Sequence, residues 1–374
     1  MIMSQSLLQR FTSAVRGRAP TAARAAPGDG PASAHPVPPS MPSSAPLPAP
    51  PPPPPARPPT PEEAAEAMRS HFVALFRETS APKGIVVAYD APGGPITVTR
   101  GRQRFVVAAE HFLYAGDLCN QFDYYFGSTV PEERDGLAVV DYSRPGWHVD
   151  RASGRRMFYT SLAEDAGATR DYMEYLAPGP GETVLDVGSY CGLSVLAFAE
   201  AVGPSGRVLA FEPDPRNHAA LLVNLRGAGE PTNVVVENKA VSGAAGTLRF
   251  SSEGNMGSAL VSKESPRGAV IEVESTTLRD VVARHGLGRV GAIKLDIEGA
   301  EYGVIESSED LIPALGARWA VELHADPVTE TPVDVDRVRR VFDRLDHVTV
   351  LQAAGDHAAA PTVFAYPRSM FRRA

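Results

Sequence analysis

Cysteine is almost absent. The 374 residues hold two, Cys119 and Cys191, too few for a disulfide framework or a zinc ligand set. A reducing compartment fits, and the expected location is cytoplasmic. Long apolar runs are missing too, and nothing approaches the ~20 residues that cross a bilayer. Positive charge is in deficit, with 36 Lys and Arg against 44 Asp and Glu and a formal charge of −8. Domains that bind nucleic acid are usually basic, so this balance argues against such a partner. What remains is ordinary for a globular protein, with 43% hydrophobic residues and length enough for more than one domain.

The chain is organised around Thr183-Val-Leu-Asp-Val-Gly-Ser-Tyr-Cys-Gly-Leu-Ser194. A short apolar run with β-branched Val184 and Val187 reads as a buried parallel strand. It stops at a turn bounded by Gly188 and Gly192, and a helix is expected over Leu193 to Val202. The glycines suit a backbone that passes close to a ligand or takes positive φ, and the helix start offers free N–H groups. A second apolar run, Arg207 to Phe211, ends in Glu212-Pro213. An acid at the end of the second strand of such a unit can bind the two hydroxyls of a ribose. One glycine is missing. A dinucleotide site needs G-x-G-x-x-G so that a pyrophosphate can approach, and here Tyr190 stands where the middle glycine belongs. The loop therefore suits a nucleoside without pyrophosphate.

The first 60 residues differ from the rest. Residues 1–28 carry Arg10, Arg16, Arg18 and Arg24 and no acid, and Pro, Ala and Ser dominate from Pro20 to Pro61. Such a stretch cannot bury a core and is expected to be disordered or polyproline II. Its start loosely resembles an organelle transit peptide. The favoured reading is a bacterial tail, or an upstream start with the protein proper beginning near Met41 or Met68, because the Ala, Arg, Gly and Pro bias runs through the whole chain. Over 61–165 the pattern reads as an α+β addition. A helix starts at Pro61-Glu-Glu, strands follow at 84–90 and 96–100, and a strand pair is expected around Ser143-Arg-Pro-Gly146. Its many aromatics, Phe105 to Tyr159, are expected to be core more than substrate platform.

Residues 166–374 alternate helices and strands, which means a mostly parallel α/β sheet. Strands are expected at 233–236, 290–297 and 318–323, helices at 166–176, 214–226, 277–285 and 335–345, and a terminal pair at 348–351 and 362–366 supplies an antiparallel edge. The most specific stretch is Ile293-Lys-Leu-Asp-Ile-Glu-Gly-Ala-Glu301, where Lys294, Asp296 and Glu298 alternate with apolar residues. Three charges on one strand face are costly in a core but tolerable where the strand end opens onto a ligand crevice.

These segments together resemble the FkbM family of S-adenosylmethionine-dependent methyltransferases. The resemblance rests on Val184 to Gly192, Phe211-Glu-Pro213, Asn238-Lys-Ala240, Lys294 to Glu301 and Val321-Glu-Leu-His324, in family order over roughly residues 170 to 350. It departs at Ser189-Tyr190, where the family usually has Ala-Asn. The resemblance implies a Rossmann-like class I methyltransferase fold, S-adenosylmethionine as cofactor, and O-methylation of a small-molecule or glycan acceptor. It implies that Asp186, Gly188, Ser189, Tyr190 and Gly192 hold the methionine end, Glu212 and Pro213 the ribose, and Asn238 to Ala240 the adenine edge. Asp296 is the first choice for a general base or for orienting the acceptor, with Glu298, Glu322 and His324 behind it, and Lys294 paired with a carboxylate. No metal ligand is assigned, although Asp296 with Glu322 could alternatively hold Mg²⁺. Two other classes stay open: an NAD-type oxidoreductase using Glu212, and a non-catalytic nucleoside-binding module recruited through the Pro-rich tail.

Overall fold

The computed structural model describes Arg57 and residues 59–164, 166–261, 268–326, 328–329, 331–353 and 360–371. The Pro-rich stretch expected to be disordered lies almost wholly outside the described residues. From Met68 onward the chain forms one compact unit.

Helix α1 (Pro61–Ser80) opens with Pro61 and two acids, Glu62 and Glu63, which complement the partial positive charge of a helix start. It buries Phe72, Val73 and Phe76. Strands β1 (Val86–Tyr89), β2 (Ile96–Arg100) and β3 (Gln103–Val107) follow, then helices α2 (Phe112–Asn120) and α3 (Phe122–Ser128), then β4 (Glu132–Arg134) and β5 (Leu137–Tyr142). They make a five-stranded sheet in the order β1-β2-β3-β5-β4. Its core is aromatic, with Phe105 edge-on to Phe122 and Phe126, each at 5.2 Å between ring centroids. The strand pair expected around residues 143–146 is instead divided between two sheets. Strand β5 pairs with β3 and β4, whereas β6 (Gly146–Val149) pairs with β7 (Arg156–Tyr159). The reason lies in what each buries. Tyr142 stacks on Phe105, while Trp147 stays on the surface against Phe158, whose backbone exchanges hydrogen bonds with the Asn224 amide.

The larger layer begins with α4 (Ala166–Leu176), β8 (Thr183–Val187), α5 (Leu193–Val202), β9 (Arg207–Phe211), α6 (Pro215–Gly227) and β10 (Val234–Glu237). A four-stranded excursion comes next: β11 (Ala240–Val241), β12 (Gly246–Ser252), β13 (Ala259–Leu260) and β14 (Ala269–Thr276). Helix α7 (Leu278–His285) starts with a reciprocal cap between Thr277 and Asp280. The chain ends with β15 (Ala292–Leu295), α8 (Glu301–Ser307), α9 (Leu311–Leu315), β16 (Arg318–Glu322), α10 (Val335–Arg344), β17 (His347–Gln352) and β18 (Thr362–Pro367). The main sheet runs β10-β9-β8-β15-β16-β18-β17 and is parallel except for β18. This is the Rossmann-like arrangement that the resemblance implies. The antiparallel strand lies one place in from the edge, because β18 inserts between β16 and β17.

Both faces of this sheet are covered, so its strands are apolar almost throughout. Leu185, Val187, Ile293, Leu295, Trp319, Val321 and Phe342 belong to one buried cluster, and each contributes roughly 1.5–3 kcal/mol by leaving water. Strand order reverses between β8 and β15, and the crevice above such a switch point is where open α/β sheets bind ligands. Among the described residues, no helix is long and apolar enough to cross a membrane.

Candidate active site

The turn after β8 is held by protein contacts on every side. Gly188 and Gly192 both have φ of +90°. A Cβ on Gly188 would overlap the Asp296 carbonyl, and one on Gly192 would strike Leu221. Gly188 is therefore fixed by the close passage of the chain leaving β15, whatever ligand also approaches. Tyr190, in the place of the missing glycine, has φ of 44°. It earns its position through two bonds: its N–H donates to Glu212 Oε2 (2.8 Å) and its hydroxyl donates to the Leu162 carbonyl (2.7 Å). Ser189 Oγ donates to the Asp186 carbonyl at 2.9 Å and closes the turn.

At the end of β9, Glu212 Oε1 accepts the Asp214 N–H at 2.9 Å. Burial pushes the Glu212 carboxyl up to about 8, against the two backbone donors that favour its charged form. The Asn238 amide donates to the carbonyls of Glu212 (2.7 Å) and Pro213 (3.1 Å), so it holds the strand end from behind. Asp214 caps α6 and also accepts Ser252 Oγ, the Gly254 N–H and Ser258 Oγ. One buried acid thus ties the 252–258 loop over the crevice.

Beyond β15 the charges gather. The strand stops at Leu295, two residues short of the expectation, and Asp296 and Glu298 sit on the turn that follows. Lys294 is only 2% exposed. Its Nζ donates to the Gly188 carbonyl at 2.6 Å and lies 3.3 Å from Asp296 Oδ2 and 3.5 Å from Asp186 Oδ1. Burial alone would strip its proton, but Asp296, Asp186, Glu164 and Glu322 overcome this and hold the ammonium charged. Asp186 is fully buried and accepts Ser194 Oγ at 2.6 Å, and burial raises its carboxyl above the usual range. On β16, Glu322 Oε2 accepts the Tyr172 hydroxyl at 2.6 Å, and burial pushes that carboxyl up to about 7.

His324 is surrounded by acids. Its Nδ1 lies 3.1 Å from Glu301 Oε1, and its Nε2 lies 3.8 Å from Glu298 Oε1, 3.8 Å from Glu322 Oε1 and 4.0 Å from Asp296 Oδ1. Burial works against its proton, but Glu298, Glu301 and Asp296 together hold the ring protonated well above the ordinary histidine value. Glu301 also accepts the N–H groups of Ile297 and Gly299, which shapes the turn carrying Asp296 and Glu298. Asp296, Glu322 and His324 can each present one ligand atom to a metal, all within 4.8 Å of one another.

The turn, Glu212 and the charged cluster border one cavity of about 600 Å³. Of the residues expected from sequence, Gly188, Tyr190, Glu212, Pro213, Ala240, Lys294, Asp296, Glu298, Glu322 and His324 line it. Asp186, Ser189, Gly192 and Asn238 stand behind the wall and hold those that do. Phe211, Val241, Phe250 and Leu260 form an apolar side, and Tyr114, Tyr124, Tyr125 and Arg151 from the first layer complete the rim. The aromatics of that layer therefore divide, the phenylalanines into its core and three tyrosines onto the cavity. Two residues escaped the sequence reading. Tyr172 orients Glu322, and Glu164 lines the cavity with its buried Oε2 meeting no partner. Burial pushes the Glu164 carboxyl up to about 8, although Lys294 pulls the other way. Neither belongs to a local motif, since each reaches the site through folding alone.

Residues 186–349 match the model of the methyltransferase FkbM domain. The chain is 32% identical over 164 residues to the 31-O-demethyl-FK506 methyltransferase FkbM of Streptomyces tacrolimicus, covering 35% of this chain and 61% of that protein. It is 34% identical over 77 residues to the human transmembrane O-methyltransferase, covering 17% of this chain and 26% of that protein. The chain thus spans less than two thirds of either relative. Among solved structures, the O-methyltransferase TomG from Streptomyces achromogenes, in complex with SAM, aligns over 55% of this chain and 82% of its own, with 15% identity and a TM-score of 0.35.

Proposed function

We propose that residues 186–349, which match the methyltransferase FkbM domain, bind S-adenosylmethionine as cofactor and that the chain methylates a hydroxyl oxygen of a small-molecule or saccharide acceptor. One observation carries the reading. The ends of β8, β9, β15 and β16 bring a turn, a ribose-type acid and a charged cluster onto the same cavity.

The cavity fits the cofactor. Glu164 Oε2, buried and without a hydrogen-bond partner, suits a ligand that brings a hydrogen-bond donor, and the methionine end carries an α-ammonium. Glu212 has lone pairs left for ribose hydroxyls after its two backbone bonds, and the side made by Phe211, Val241 and Leu260 suits a flat base. When bound, S-adenosylmethionine supplies a methyl group already activated by positive sulfur.

What this chain adds is position and a place for the proton. Asp296 projects into the cavity next to Gly188 and is steadied by Lys294. It accepts the acceptor's O–H and takes its proton as the oxygen is methylated. His324, whose Nε2 lies 4.0 Å from Asp296 Oδ1, serves to position Asp296. The tyrosines and Arg151 at the rim favour an acceptor with a ring and polar substituents.

The test is Asp296→Asn with methyl-labelled cofactor and a panel of hydroxylated sugars and polyketide-like compounds. Cofactor affinity should stay nearly intact while turnover falls about 10²–10⁴-fold. Full turnover in the variant would move the base elsewhere.

A further inference from the structure

Three side chains at the cavity floor each have one atom held from behind and the other turned to a common point. Asp296 Oδ2 lies 3.3 Å from the Lys294 ammonium, leaving Oδ1 to face His324 Nε2 at 4.0 Å. Glu322 Oε2 accepts the Tyr172 hydroxyl at 2.6 Å, leaving Oε1 to face the same nitrogen at 3.8 Å. His324 Nδ1 is held by Glu301 Oε1 at 3.1 Å, so Nε2 is the free end of the ring. Outer partners that fix the rotamer and tautomer of each inner atom are what metal ligands require.

From this we infer that Asp296, Glu322 and His324 bind a divalent cation of the Mg²⁺ or Mn²⁺ class, and, on the methyl-transfer reading, that the cation holds the acceptor's hydroxyl oxygen. The spacing supports it. Three atoms separated by 3.8 Å, 4.0 Å and no more than 4.8 Å share a centre about 2.1–2.5 Å from each, inside the span of about 2.0–2.6 Å that covers bonds from oxygen to hard divalent cations. Two carboxylates and one imidazole suit a hard divalent ion and leave positions open for water or substrate.

A second observation is independent of the spacing. Glu301, behind the histidine, is wholly buried, and its Oε2 meets no partner. With Asp186, Asp296, Glu298 and Glu322 also around this floor, carboxyl groups outnumber the one lysine and one histidine they face. A dication in front of His324 would lie on this acid-rich floor. In the place between Asp296 and the cavity it would fix the acceptor oxygen and lower the pKa of its hydroxyl, and so strengthen the geometry for which Asp296 otherwise works alone.

The experiment is a titration of Mn²⁺ alone into the full chain, without cofactor or acceptor, following free Mn²⁺ by its electron paramagnetic resonance signal. One equivalent should bind, with affinity at least tenfold weaker in Glu322→Gln and in His324→Gln, while cofactor binding in both variants reports an intact fold. Absence of Mn²⁺ binding, or equal binding in both variants, overturns the cation site. Methyl transfer that persists undiminished after chelation also overturns it and leaves the transfer reading standing. Mn²⁺ binding that both variants weaken, in a protein that binds no S-adenosylmethionine, supports the cation site and sinks the transfer reading instead.

Discussion

Replacing Lys294 by methionine keeps the length of the side chain and removes its charge. Three things are lost at once: the 2.6 Å bond to the Gly188 carbonyl, the 3.3 Å contact with Asp296 and the 3.5 Å contact with Asp186. Asp186 is the worst placed afterwards, fully buried with Ser194 as its remaining side-chain donor and Oδ1 already without a hydrogen bond. Removing one partner of a buried ion pair costs about 3–5 kcal/mol because the other charge is stranded. Lys294→Met should therefore lose about 3–5 kcal/mol at pH 7.5, read by urea unfolding. The deficit should shrink toward pH 5.5, where the stranded carboxyls take up protons in the folded state. Lys294→Met combined with Asp186→Asn should recover part of the loss, since the second change removes the stranded charge. A loss below about 1 kcal/mol at pH 7.5, where a surface ion pair would fall, would refute the reasoning and show that the lysine is not the counter-ion of this floor.

Glu212→Ala should weaken S-adenosylmethionine binding by about 1–3 kcal/mol, the range for removing one partner of a buried hydrogen bond. Because Glu212 also accepts the N–H groups of Tyr190 and Asp214, the melting temperature must be read beside the affinity, and unchanged affinity removes Glu212 from the site. Stability should fall as pH rises from 6.5 to 8. The folded carboxyls of Glu164 and Glu212 sit at about 8 while their unfolded values lie near 4.3, so in this window the folded state binds more protons and loses stability as they leave. Each group contributes a slope of up to about 1.4 kcal/mol per pH unit. Glu164→Gln and Glu212→Gln should flatten the profile, and slopes equal to wild type would contradict the assignment. The window lies above that of His111 and His148, which burial holds below the ordinary histidine value and which act with the opposite sign.

How much of this was legible in the sequence depended on whether the signal was local. Helices α4 and α5 lie where expected, since apolar periodicity and flanking glycines are properties of short windows. The charged alternation at Lys294, Asp296 and Glu298 identified the cavity floor, but not that Lys294 is sealed within it. That follows from its register beside Asp186 on β8, which only the assembled sheet provides. Tyr190 read as a departure from a glycine pattern, and its reason, a bond to the Leu162 carbonyl, lies 28 residues upstream. The Ser143-Arg-Pro-Gly146 turn suggested a strand pair, but the two strands pair with other partners, β5 with β3 and β4 and β6 with β7. Glu164 and Tyr172 left no trace, because a lone acid or tyrosine outside a motif has no pattern to betray it.

On the methyl-transfer reading, the crevice at the switch point binds S-adenosylmethionine and not a dinucleotide. Calorimetric titration of S-adenosylmethionine and of NAD into the purified chain tests it most directly. S-adenosylmethionine should bind saturably in the micromolar range and NAD should not bind, because Tyr190 fills the place where a pyrophosphate needs glycine. Tight binding of NAD with no heat from S-adenosylmethionine would contradict it.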